Sequence, residues 1–178
     1  MQPNDPTFDS AFFRTALGRF ATGVTVITTE FAAPGAAPLP VGLTVNSFNA
    51  VSLSPPLVLW SLSGTASTYD AFMAGGSYVI QVLAAHQTDI ALRFARGTQA
   101  ERFAGMPVTR APGGSLMLDT HSASWFECVP YSHHVAGDHT IMVAEVRHCG
   151  HANVPPLVFH AGGFDLTPLP EVPGQVPT

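Results

Sequence analysis

The chain has 178 residues, of which 46% are hydrophobic and 11% charged, with a formal net charge of −5. That length suits one compact domain with a real core and is short for two. The acidic balance lacks the basic stripe that nucleic acid or an anionic membrane requires, and the low charge density points to surface hidden in an oligomer.

The stretch from Asp9 to Phe20 predicts a helix capped by Asp9 or Ser10, with Phe13, Ala16, Leu17 and Phe20 on one apolar face. After Gly23 the β-branched run to Thr29 predicts a strand, and the Pro/Ala/Gly segment Ala32 to Pro40 a loop between strands. Further strands are expected at Val41–Asn46, Phe48–Leu53 and Leu57–Leu62. Ser67 to Ala74 predicts a short helix capped by Ser67 or Thr68 and stopped by Gly75-Gly76. Tyr78 to Leu83 follows as a strand, and Thr88 to Arg96 as a helix with Ile90 and Phe94 one turn apart.

Gly105 to Asp119, with its prolines and glycines, predicts a long loop of the kind that often covers a site. Ser124–His134 and His139–Cys149 predict long strands, with a last short one at Leu157–His160 and Phe164. One domain is expected over 1–166, and a proline-rich tail, 167–178, that either is disordered or lies on a partner subunit. Many short strands without β-then-helix alternation predict an antiparallel barrel, and no glycine-rich dinucleotide fingerprint follows the first strand.

All seven cations are arginines, so a lysine Schiff base and a Walker A loop are both excluded. Cys128 and Cys149 predict two reduced, buried thiols. The N-terminus lacks a basic-then-apolar leader pattern and no run is long enough to span a bilayer, so a cytoplasmic location is expected. The eight histidines show no zinc spacing, and no metal is expected. No nucleophile elbow is present either.

Three segments could carry chemistry. Thr44-Val45-Asn46-Ser47-Phe48 offers hydroxyls, an amide and backbone N–H groups for the rim of a flat heteroaromatic ligand, or equally the polar residues of an ordinary strand–turn–strand. Ser61 to Thr68 leads five hydroxyl residues into a helix start, which suits a phosphate or a plain N-cap, with Arg93 and Arg96 as the nearest charge helpers. Gly137-Asp138-His139 could present a histidine, oriented by Asp138, to a carboxamide, ribose or phosphate.

Taken with Phe13–Thr29, Gly42–Phe48, Val51–Leu59, Arg93–Ala95, Glu101–Gly105, Ala136–Ile141 and Pro155–His160, these segments resemble the flavin reductase-like family of FMN-binding split barrels. The resemblance implies an antiparallel, Greek-key split β-barrel that transfers hydride from NADH or NADPH to FMN or FAD, without a catalytic acid or base. It implies a homodimer, and a flavin-dependent monooxygenase as recipient of the reduced flavin. A retained FMN reducing another acceptor, such as a ferric complex or quinone, and a non-catalytic flavin-binding barrel are the alternatives.

On the same resemblance, Thr44, Val45, Asn46 and Ser47 line the flavin ring and ribityl chain, and Ser61, Ser63, Ser67 and Thr68 hold the ribityl and phosphate end. Phe94 and Arg96 match positions near the phosphate, His139 is implied as the NAD(P)H contact, and Phe164 lies in the flavin or nicotinamide neighbourhood. Two departures stand out. Gly64-Thr65-Ala66 lacks the basic residue that loop often carries, which leaves the phosphate to Arg96, another arginine or N–H groups. Phe164 stands where the family frequently has tyrosine.

Overall fold

A computed structural model describes residues 7–165 of the chain. Helix α1 (Ser10–Leu17) begins at Asp9, whose carboxylate accepts from the Phe12 N–H at 2.8 Å. Strands β1 (Thr22–Gly23), β2 (Thr25–Phe31), β3 (Leu39–Val45), β4 (Asn49–Leu53) and β5 (Pro56–Ser63) follow. Then come α2 (Tyr69–Met73), β6 (Tyr78–Val82), α3 (Thr88–Ala95) and α4 (Gln99–Phe103). The hairpin β7 (Val108–Arg110) and β8 (Leu116–Leu118) leads to the long pair β9 (Ser124–Ala136) and β10 (His139–His151), and β11 (Val158–His160) and β12 (Gly163–Asp165) close the described chain.

Seven strands form one antiparallel sheet in the order β3-β2-β6-β9-β10-β5-β4. Alternate residues of its strands meet in a single core: Ile27, Val41, Val58, Trp60, Leu62, Tyr78, Ile80, Cys128, Met142 and Ala144, with Phe72 of α2. A sheet in which β2, β3, β5, β6, β9 and β10 send residues into the same cluster has curled around it. The fold is therefore mainly antiparallel β with short helices. Trp60, Phe72 and Tyr78 pack edge to face with centroids 5.1–5.9 Å apart, and the Trp60 indole N–H donates to the Tyr78 hydroxyl at 3.1 Å. A second cluster lies on the other face of β2, where Val24 and Val26 meet Leu83, Phe94, Leu118 and Leu157.

Several expectations need correction. No residue of α1 is buried; Phe12, Phe13, Leu17 and Phe20 are all exposed, with Phe13 stacked on Phe8 at 5.4 Å. Thr68 occupies the N-cap of α2, yet its hydroxyl makes no capping bond. Cys149 is exposed, whereas Cys128 is buried and its thiol is pushed up to about 12 by desolvation. Helix α4 falls where no element was expected, although a capping box marks it: Thr98 Oγ1 accepts from the Glu101 N–H and the Glu101 carboxylate from the Thr98 N–H. Residues 167–178 lie outside the described residues.

The segment 105–119 is a hairpin rather than a loop. Side chains of the main sheet satisfy its backbone: Gln81 bonds both polar groups of Leu118, at 2.8 and 3.0 Å, and Thr28 donates to the Leu116 carbonyl at 2.7 Å. Arg110 pairs with Glu30. The Glu127 carboxylate, 2% exposed, accepts from the N–H groups of Gly113 and Ser115 at 2.7 and 2.9 Å and from His148 Nδ1 at 2.9 Å. A Cβ on Gly113 would lie 2.8 Å from both Glu127 oxygens, so this approach requires glycine.

Burial pushes the Glu127 carboxyl upward, but the hydrogen bonds from Ser115, Gly113 and His148 outweigh it and hold the group below its ordinary range. Its contribution to stability is complete above the ordinary glutamate value of about 4.3 and is lost as pH falls through the lower folded value. Glu127→Gln is expected to lose about 2 kcal/mol near neutrality and to flatten the acid limb of a Tm-against-pH curve below about pH 4.3. An unchanged acid limb would show that Glu127 does not carry it.

Candidate functional site

Strand β3 is the spine of the candidate site. Its middle is locked from outside the sheet: the Gly42 N–H donates to Gln99 Oε1 at 2.8 Å, and the Gly42 carbonyl accepts from Arg102 Nη1 at 2.6 Å. A Cβ on Gly42 would lie 2.8 Å from the Phe94 ring, so glycine lets α3 and α4 sit directly on the strand. Further along, the Thr44 hydroxyl donates to the Ala91 carbonyl of α3 at 2.7 Å. Beyond the last β2–β3 pair, Thr25↔Val45, the chain turns towards β4. There the Ser47 hydroxyl accepts from the Ser61 N–H at 2.9 Å and donates to the Ser61 carbonyl at 3.3 Å.

Three cavities converge on this strand end, and Thr44 lines all of them. One, of about 270 Å³, is lined by Leu43 to Ser47, Ser61, Ser63, Ala66 and His139. His139 sits opposite Ser63 in the β5–β10 pairing, and the Gly64 N–H ties this corner to the Asp138 carbonyl at 2.9 Å. Asp138 bonds His139 Nδ1 at 2.7 Å, and that bond holds the Asp138 carboxyl below its ordinary range. A carboxylate can only accept, so Nδ1 carries the proton and Nε2 is the ring atom left for a ligand. The Asn46 amide is exposed and makes no hydrogen bond among the described residues.

A second cavity, of about 220 Å³, is bounded by Ser67, Thr68, Phe94, Ala95 and Arg102. Here the polar groups are unusual. Thr68 Oγ1 is fully buried without a hydrogen-bond partner. Arg102 is 8% exposed; its guanidinium donates to the carbonyls of Arg96 and Gly42 and pairs with no carboxylate among the described residues. Burial lowers its pKa from the ordinary value. A desolvated cation beside an unpaired hydroxyl is a donor set for an anion. Because α2 has only five residues, its dipole adds little to that pull.

The third and largest cavity, about 420 Å³, lies between β3, α3 and the β11–β12 hairpin. Arg96 and Phe164 line it together with Thr44 to Asn46, and Phe164 meets Phe159 edge to face at 5.6 Å. Phe94 is fully buried, packed against Phe103 at 5.0 Å, and forms the wall behind the Arg102 cavity. Arg96 thus faces the large cavity, while the cation beside Ser67 and Thr68 is Arg102. Arg93 is engaged elsewhere, donating to the Arg102, Glu101 and Ala104 carbonyls at the end of α4. Sequence reasoning missed Arg102, whose position depends on a contact with Gly42, 60 residues away.

The family model described as "Flavin reductase like domain" matches residues 17–167. The chain is 40% identical over 174 residues to "FMN reductase (NADH) SmoA" of Agrobacterium fabrum, covering 91% of each. It is 36% identical to "Flavin-dependent monooxygenase, reductase subunit HsaB" of Rhodococcus jostii, over 88% of this chain and 77% of that one. Among solved structures, the NADH:FAD oxidoreductase SgcE6 of Streptomyces globisporus, in complex with NAD and FAD fragments, superposes with a TM-score of 0.79 at 30% identity, covering 88% and 92% of the two chains. With a family model spanning most of its length and relatives of this closeness, the chain belongs to the flavin reductase-like family.

Proposed function

We propose that the chain is an NAD(P)H-dependent flavin reductase that takes FMN or FAD in the groove converging on Thr44 and supplies reduced flavin to a partner monooxygenase. The activity is supported by relatives named as FMN reductase (NADH) and as reductase subunits of flavin-dependent monooxygenases. The placement of the flavin rests above all on the buried Thr68 hydroxyl and the Arg102 guanidinium, which share one cavity and lack an anionic partner among the described residues. Those donors fit a phosphate. A bound oxidised flavin supplies the hydride acceptor.

The protein's own residues have two tasks. Ser67, Thr68 and Arg102 hold the phosphate, with Phe94 as the wall behind it. Asn46, Val45, Ser61 and Ser63 line the path to the ring, and the N–H groups of Asn46 and Ser47, lying past the last β2–β3 pair, meet the negative charge that grows on hydride arrival. His139, fixed by Asp138, presents Nε2 to the nicotinamide nucleotide so that donor and acceptor carbons can approach to about 3–3.5 Å. Among the described residues no carboxylate lines any of the three cavities, in keeping with a reaction that needs no general acid or base.

The reductase is a cytoplasmic homodimer in this reading. The apolar face of α1, with Phe12 66% and Phe20 72% exposed, is the surface a second copy covers. None of the described helices is long and apolar enough to cross a membrane.

NADH or NADPH oxidation by the protein should be steady and should saturate with added FMN or FAD; a flavin-binding protein that consumes neither nucleotide would overturn the proposal. Thr68→Val should raise the stability of the flavin-free protein by about 1 kcal/mol, since it deletes a buried unpaired hydroxyl, while weakening FMN about tenfold and leaving riboflavin unchanged. Equal effects on FMN and riboflavin would remove Thr68 from the phosphate end. His139→Ala should raise the KM for the nicotinamide nucleotide about tenfold with the flavin KM little changed; an unchanged nucleotide KM would refute the role. Sedimentation should give twice the chain mass, and a monomer would exclude the dimer.

A further inference from the structure

Seven arginines supply all the positive charge of this acidic chain. Four have partners: Arg93 and Arg102 cap backbone carbonyls, and Arg110 and Arg147 pair with Glu30 and Glu145. Among the described residues the side chains of Arg14, Arg19 and Arg96 have no hydrogen-bond or ion-pair partner. These three are not scattered. Arg96 lines the largest cavity, and Arg14 and Arg19 line a cleft of about 280 Å³ between the end of α1 and the β11–β12 turn. The two spaces share Gly162.

The floor of that cleft is tied to α1. Ala161 and Gly162 both have positive φ, 50° and 86°, in the turn between β11 and β12. For alanine this conformation is strained and persists only where the surroundings impose it. The constraint is visible: the Ala161 N–H donates to the Gly18 carbonyl at 2.8 Å, fixing the turn to the end of α1. Two neighbouring cavities that share Gly162 thus carry three guanidinium groups without a protein anion among the described residues, and such groups attract an anion.

We propose that the Arg14–Arg19 cleft is a second anion subsite, which takes a phosphate of an adenine dinucleotide whose other half lies in the adjoining Arg96 cavity. The proposal rests on the reductase reading, in which two such dinucleotides, FAD and NAD(P)H, are handled. It is distinct from the Thr68–Arg102 cavity, which would hold the phosphate that FMN also carries.

The test is the Arg14→Gln/Arg19→Gln double variant of the full chain, with circular dichroism and riboflavin affinity in the absence of nucleotide as controls for folding. Both side chains are exposed and unpaired, so both controls are expected to match the wild type. The affinity for FMN should also be unchanged. A rise of about tenfold in the KM of NADH and NADPH alike would place the nicotinamide nucleotide's diphosphate in the cleft. A rise for NADPH alone would place its 2′-phosphate there; a rise for FAD alone, whose diphosphate includes the phosphate assigned to Thr68 and Arg102, would overturn the assignment. Unchanged constants for all three dinucleotides, or a loss shared by FMN and riboflavin, would overturn the subsite. If the wild type itself reduces no flavin, the reductase reading fails instead.

Discussion

The site depends on a positive charge buried without a carboxylate. Arg102 spends two of its donor positions on the carbonyls of Gly42 and Arg96, and so stitches α4 to β3 and to the end of α3. Carbonyl oxygens soften the desolvation of a guanidinium but do not neutralise it. The residual charge is directed into the cavity where Thr68 also leaves a hydroxyl unpaired. An unpaired hydroxyl and a guanidinium without a carboxylate in one cavity would be a costly defect in a purely structural core. They make sense as one half of a contact whose other half is an anion.

Strand β3 converts that local arrangement into a groove. Its Gly42 admits α3 and α4 to the strand, its Thr44 hydroxyl fixes the α3 backbone, and its end opens between β5 and the β11–β12 hairpin. Strand β3 is the edge of the sheet, paired with β2 on one side, while Gln99 and Arg102 of α4 take the Gly42 polar groups on the other. The Ser47–Ser61 and Gly64–Asp138 bonds then bring the turn after β3, the end of β5 and the start of β10 to one corner. A flat ligand with a phosphate tail would meet apolar walls along its length and donors at its ends.

Much of the fold was legible because β-branched and alternating runs report sheet burial directly: β2, β5, β6, β9 and β10 fall within a few residues of expectation. The hairpin β7–β8 was not, since its backbone is satisfied by Gln81, Thr28 and Glu127 from distant strands and leaves no periodic signature. For α1 the pattern showed an amphipathic face, yet amphipathicity cannot say whether the partner surface belongs to the same chain. At the site, Thr44 to Ser47, Ser61, Ser63 and His139 stood out in the sequence and come together in space. Arg102 was hidden, because its meaning lies in what it lacks, a carboxylate partner, and that is visible only in three dimensions.

The central claim is that Thr68 and Arg102 face the phosphate of the flavin, and a crystal structure of the protein with FMN tests it most directly. Phosphate oxygens are expected within hydrogen-bond distance of Thr68 Oγ1 and the Arg102 guanidinium, with the ring extending past Asn46. A phosphate seated instead against Arg96 in the large cavity, with Thr68 and Arg102 untouched, would contradict it.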